Sequence, residues 1–152
     1  MNRNIIRITK EINFEMAHAL YGYEGPCKNI HGHSYHLSVC IRGEVKHNPA
    51  ASDNGMVIDF SVLKEIIKTN IINQFDHALL LNAQSPHKEL ARGIEPFEKV
   101  ILTDYQPTCE NILIDIVKKI RHLLPSNTTL HHLTLRETPN SFAEWFSEDN
   151  SD

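Results

Sequence analysis

The stretch His31-Gly32-His33-Ser34-Tyr35-His36-Leu37-Ser38-Val39-Cys40-Ile41 alternates with period two. His31, His33, Tyr35, Leu37, Val39 and Ile41 fall on one face, and Ser34, His36, Ser38 and Arg42 on the other. This is the pattern of a strand with one face against a core. Residues 5–18 repeat it, with Ile6, Ile8, Ile12, Phe14, Met16 and His18 opposite Arg7, Thr9, Glu11, Asn13 and Glu15. Each apolar face ends in histidine. The intervening 21–30 segment is a loop by its Gly22, Gly25 and Pro26. Antiparallel pairing across that loop brings His18 beside the His-Gly-His end. His31 and His33 then leave one face about 6.6 Å apart along the strand. Three neutral imidazoles in that arrangement suit zinc. With three protein ligands the fourth position stays open, as in catalytic rather than structural zinc sites. Cys27, four residues before His31, is the rival fourth ligand of a closed structural site.

Working outward, Asp53-Asn54-Gly55 marks a turn, and Asp59 or Ser61 caps a helix. Phe60, Leu63, Ile66, Ile67 and Ile71 form its apolar stripe, and it ends near Gln74-Phe75. Residues 82–106 read as irregular, with a short strand at Val100-Ile101-Leu102. Thr108 caps a second helix whose buried face is Ile112, Ile116, Ile120 and Leu124, stopped by Pro125. Strands at 130–137 and 142–146 follow. The order strand, strand, helix, helix, strand, strand predicts an α+β fold with a largely antiparallel sheet and both helices on one side. The expected organisation is a single domain over 1–152, with an insertion at about 83–106 and a flexible acidic tail at about 147–152.

The net charge of −4 argues against a general nucleic-acid binder, whose affinity rests on neutralising phosphates. No run of 18 apolar residues is present, which argues against a membrane helix. The N-terminus lacks the apolar core of a signal peptide, so a cytoplasmic protein with free thiols at Cys27, Cys40 and Cys109 is expected.

Other groups could move protons. A cation near Cys27 favours its thiolate, as base or nucleophile, and Lys28 is adjacent. Asp76-His77 is a carboxylate–imidazole pair if the neighbours touch. Glu137 shares a strand face with Leu133 and Leu135. It is either solvated at the strand end or held for a ligand with N–H donors. Glu110 complements a helix N-terminus. Cys40, on a polar strand face, and Cys109, in a first helical turn, read as structural. His36 points to the polar face, His122 closes a helix, and His47, His87, His131 and His132 read as surface residues.

These residues carry a resemblance over nearly the whole chain. Phe14-Glu15-Met16-Ala17-His18, Cys27-Lys28-Asn29-Ile30-His31-Gly32-His33, Gly55-Met56-Val57-Ile58-Asp59-Phe60, Phe75-Asp76-His77, Pro107-Thr108-Cys109-Glu110-Asn111 and Arg136-Glu137-Thr138 resemble successive motifs of the 6-pyruvoyltetrahydropterin synthase superfamily. Its bacterial branch includes the 6-carboxy-5,6,7,8-tetrahydropterin synthases of queuosine biosynthesis. The resemblance implies the tunnelling fold, an oligomeric barrel commonly stacked as a homohexamer, and active sites between subunits. It implies 7,8-dihydroneopterin triphosphate as substrate. It also implies zinc on His18, His31 and His33, Cys27 as the proton-abstracting thiolate, and His77 as a proton relay oriented by Asp76. Glu137 would hold the pterin ring, with Thr108 and Glu110 close by. Cys109 stands where the family more often has Ala, Ser or Thr, and 82–106 is longer than in compact bacterial members. Lys28, Arg42, Lys46, Lys88 and Arg92 are the candidate triphosphate donors.

The carboxy-type product, formed with loss of triphosphate and acetaldehyde, is the leading expectation, on the 137–145 segment. The alternatives are a pyruvoyl-type synthase of tetrahydrobiopterin-type biosynthesis, an aldol-cleaving relative using Glu24, and a non-catalytic, zinc-stabilised pterin-binding oligomer.

Overall fold

Two long patterned strands lie side by side, as their alternation requires. The computed structural model describes residues 4–150. Strand β1 (Ile5–Ala19) pairs antiparallel with β2 (His31–Glu44), and the register sets His18 opposite His31. β2 pairs antiparallel with β5 (Thr128–Thr138), which pairs with β6 (Ser141–Phe146). On the other side of β1, β3 (Ala78–Asn82) and β4 (Val100–Thr103) add in parallel, giving the order β4-β3-β1-β2-β5-β6. The sheet is therefore mixed.

β3 was not expected from the sequence. Its Ala78-Leu79-Leu80-Leu81-Asn82 run does not alternate, because Ala78, Leu80 and Leu81 are buried and Leu79 and Asn82 are half-buried. A short continuous apolar run does not distinguish strand from helix. The stretch read as irregular also contains a 3-10 turn over Pro86–Leu90. Of the acidic tail, Glu148–Asn150 forms a 3-10 turn, and 151–152 lie outside the described residues.

Helix α1 (Phe60–Ile67) is capped by Asp59, whose side chain accepts from Ser61 N at 2.7 Å. It continues through a π-helical segment, Lys68–Ile72, into α2 (Asn73–Phe75). Helix α3 (Cys109–Ile120) is capped by Thr108 through Asn111 N. It stops a turn earlier than the Leu124 expected from periodicity. Leu63, Ile67 and Ile71 and Ile112, Ile116 and Ile120 pack on Tyr35, Leu37, Val39, Ile41, Leu133 and Leu135 of the sheet. All the helices thus cover one face.

Gly43 marks a close approach. A Cβ there would lie 2.7 Å from Asn127 O and 2.8 Å from Val57 Cγ1. Gly43→Ala is expected to destabilise the chain by about 1–3 kcal/mol, since the clash involves backbone. Urea unfolding measures it, and an unchanged midpoint would contradict the packing.

Candidate metal centre and active site

The pairing of β1 with β2 brings His18, His31 and His33 together, with one ligand atom from each within 4.8 Å of the others. His18 is 2% exposed. Its Nδ1 lies 2.6 Å from the carbonyl of Pro107, in the segment before α3. His31 Nδ1 lies 2.7 Å from the carbonyl of Asn29. A carbonyl only accepts, so each Nδ1 carries a proton and each neutral ring turns an Nε2 lone pair inward. Those two Nε2 atoms stand 3.1 Å apart. His33 Nε2 is buried without a hydrogen-bond partner.

Facing lone pairs and an orphaned buried nitrogen are unfavourable unless a cation sits among them. The two carbonyls are the outer partners that orient metal-binding imidazoles. Burial also pushes the pKa of His18 and His33 down, which keeps them in the neutral, metal-binding form. The residues therefore fit zinc. Cys27 is not part of this cluster, so a zinc ion here would have three protein ligands and an open position.

The same downward shifts have a consequence for stability. The unfolded histidines take up protons near their ordinary value of 6.5, while folded His18 and His33 resist. The unfolded state then binds more protons, so stability falls as pH drops. The melting temperature of the metal-free protein is expected to fall between pH 7 and pH 5. A melting temperature that rises over that interval would contradict the burial of these rings.

Glu137 closes one side of the centre. Its Oε1 lies 3.4 Å from His18 Nε2 and 3.6 Å from His33 Nε2, and it accepts from Tyr35 Oη at 3.1 Å. It is thus partnered rather than solvated. Burial and this carboxylate push the Tyr35 pKa upward, which keeps the phenol a donor. Tyr35 continues the His31, His33 face and could have been singled out by that period.

A pocket of about 290 Å³ opens beside the centre. Its walls include His18, Cys27, Thr108, Glu110, Glu137 and Phe142. The sequence reading missed Phe142 and Ser141. They arrive because the β5–β6 hairpin pairs Arg136 with Phe142 and Thr138 with Ser141, beside Glu137. Cys109 also reaches this pocket; burial raises its thiol to about 12, and it donates to Leu135 O. It stays protonated and structural.

Asp76 and His77 do touch, with Oδ1 and Nδ1 3.1 Å apart. Asp76 Oδ1 also accepts from Glu15 N, which holds its carboxyl below the usual range. His77 adopts φ +61°, and its N–H donates to Glu15 O. A β-bearing residue there stores strain, a feature that clusters at functional sites. The His77 side chain is 77% exposed and lines a separate groove with Glu15, Gly32, His33 and Ser34. Within one chain, Cys27 and His77 do not share a pocket.

The remaining histidines differ from expectation in two places. His131 and His132 are half-buried and cluster with the buried Cys40, and His87 is half-buried against Tyr21. Both departures come from register and loop packing, which composition does not reveal.

A family model described as 6-pyruvoyl tetrahydropterin synthase matches residues 7–148. The chain is 34% identical to the 6-carboxy-5,6,7,8-tetrahydropterin synthase of Haemophilus influenzae, covering 93% of this chain and 99% of that protein. It is 33% identical to the protein of the same name from Rickettsia felis, covering 92% and 99%. Among solved structures, that of Caenorhabditis elegans 6-pyruvoyl tetrahydropterin synthase matches with a TM-score of 0.68 at 26% identity, over 96% of this chain and 99% of that one.

Proposed function

Because the chain belongs to the 6-pyruvoyl tetrahydropterin synthase family, has its tunnelling fold and is a lyase of that type, we propose that it converts 7,8-dihydroneopterin triphosphate to 6-carboxy-5,6,7,8-tetrahydropterin, releasing triphosphate and acetaldehyde. The single observation that carries this is the joining of an open three-histidine centre to a pocket walled by Cys27 and Glu137. The 33–34% identity to two proteins bearing the carboxy name favours that product. In this reading the protein serves queuosine-type biosynthesis and works in the cytoplasm.

His18, His31 and His33 would hold zinc, which would supply a Lewis acid for the side-chain hydroxyls of the substrate and make the adjoining C–H groups more acidic. Cys27, at the pocket wall, takes the side-chain proton as thiolate. Glu137, fixed by Tyr35, accepts hydrogen bonds from the N–H edge of the pterin. Thr108 and Glu110 border the same space. Phe142 offers the ring an apolar face.

The Asp76–His77 pair completes this arrangement from a second copy of the chain. Its exposure, its separate groove and the position of β4 and β6 at the two edges of the sheet support a ring-like homo-oligomer, such as a hexamer, in which one subunit's His77 relays protons at the neighbour's pocket.

Incubation of the zinc-loaded protein with 7,8-dihydroneopterin triphosphate tests the product. Triphosphate and acetaldehyde are expected in equal amounts. A diketone pterin without acetaldehyde would move the reading to the pyruvoyl product. Hydroxymethylpterin would indicate aldol cleavage instead, and no turnover a binding protein.

A further inference from the structure

A second group of metal-ligating side chains lies on the other face of the sheet. β5 carries a bulge opposite Cys40 and Ile41: Cys40 pairs with His132, Ile41 pairs with Leu130, and His131 is left without a partner in the register. An extra residue in one strand breaks the alternation of faces. Leu130 and Leu133 both turn into the core, so the two residues between them, His131 and His132, both turn away from it. Cys40 alternates with Val39 and Ile41, both in the core, and turns the same way. One ligand atom from each of Cys40, His131 and His132 lies within 4.8 Å of the others.

The surroundings hold this arrangement. Cys40 is 1% exposed. His132 stacks on Phe146, its partner on β6, with centroids 5.1 Å apart and planes at 17°. The His131 carbonyl accepts from Ser147 N at 3.0 Å. The two Nδ1 atoms stand 2.8 Å apart. Tetrahedral zinc places its ligands roughly 3.3–3.7 Å from one another, given Zn–N of about 2.0–2.1 Å and Zn–S of about 2.3 Å. A slight opening of the two rings meets that requirement.

We propose that Cys40, His131 and His132 form a second metal site, for a borderline or soft cation such as zinc(II), which clips β2 to the bulge of β5. One thiolate and two imidazoles select such ions over magnesium or calcium, which want oxygen ligands. Seven residue steps along the strand separate Cys40 from His33, roughly 23 Å at the rise of an extended chain, so one ion cannot serve both sites. Arg7, Arg42 and Glu148 lie near enough for their charges to act on His131.

Zinc and cobalt(II) binding to the full chain tests this separately from the first centre. Chelator-treated wild-type protein is expected to bind two zinc ions per chain. His31→Ala, which disables the first centre, should still bind one. That ion should disappear in His31→Ala combined with either Cys40→Ser or His132→Asn. Cobalt loading of His31→Ala should give a thiolate-to-cobalt absorption band that Cys40→Ser removes and Cys27→Ser keeps. A single zinc per wild-type chain would overturn the second site and leave the first intact. So would a second zinc that survives both Cys40→Ser and His132→Asn. In the first case the two rings share only a hydrogen bond.

Discussion

His18→Ala is expected to weaken zinc binding more than 100-fold and to abolish turnover with it. Losing even an outer partner of a metal-bound imidazole costs about 10–100-fold in affinity, and His18 is itself one of three ligands. It is also the most deeply placed of them, at 2% exposure. Its removal leaves the Pro107 carbonyl without a donor, a cost of roughly 1–3 kcal/mol. In the metal-free protein that loss is offset, because the 3.1 Å approach of the His18 and His31 lone pairs is relieved. The variant should therefore differ little from wild type without zinc and fall well below it with zinc, since only the wild type gains stability through binding at the first centre. Melting curves with and without zinc, beside metal analysis, measure this. A variant that keeps the zinc-dependent rise at the first centre would contradict the ligand assignment.

Cys27→Ala is expected to lower turnover by about 10²–10⁴-fold, the range of a positioned acid or base, with zinc retained. Cys27 lines the pocket but stands outside the histidine cluster, so its loss removes a proton acceptor and not a ligand. Its loop stays anchored, because Leu20 N donates to the Cys27 carbonyl at 2.9 Å whatever the side chain. Steady-state kinetics and zinc content, measured on one preparation, separate the two roles. Loss of the metal along with activity would make Cys27 the fourth ligand of a closed structural site.

The clustering of His18, His31 and His33 was legible because three histidines end two faces of period two, and one loop fixes how those faces meet. Its surroundings were less so. Tyr35 extends the same face, yet its role depends on Glu137, 102 residues away. Asp76 and His77 were recognisable as neighbours, but their exposure on a separate groove follows from β3, whose apolar run carried no period. The parallel pairing of β3 and β4 was hidden for the same reason. The Cys40–His131–His132 cluster was invisible because one bulge puts two consecutive histidines on one face, against the alternation on which strand reading depends.

Restoration of turnover by zinc tests the central claim most directly. Wild-type and His31→Ala proteins are stripped with chelator and given 7,8-dihydroneopterin triphosphate, with and without added zinc, and triphosphate release is followed. Release is expected only from the wild type, and only with zinc. Equal release from stripped wild type, or restoration of His31→Ala to the wild-type rate, would contradict a catalytic metal on His18, His31 and His33.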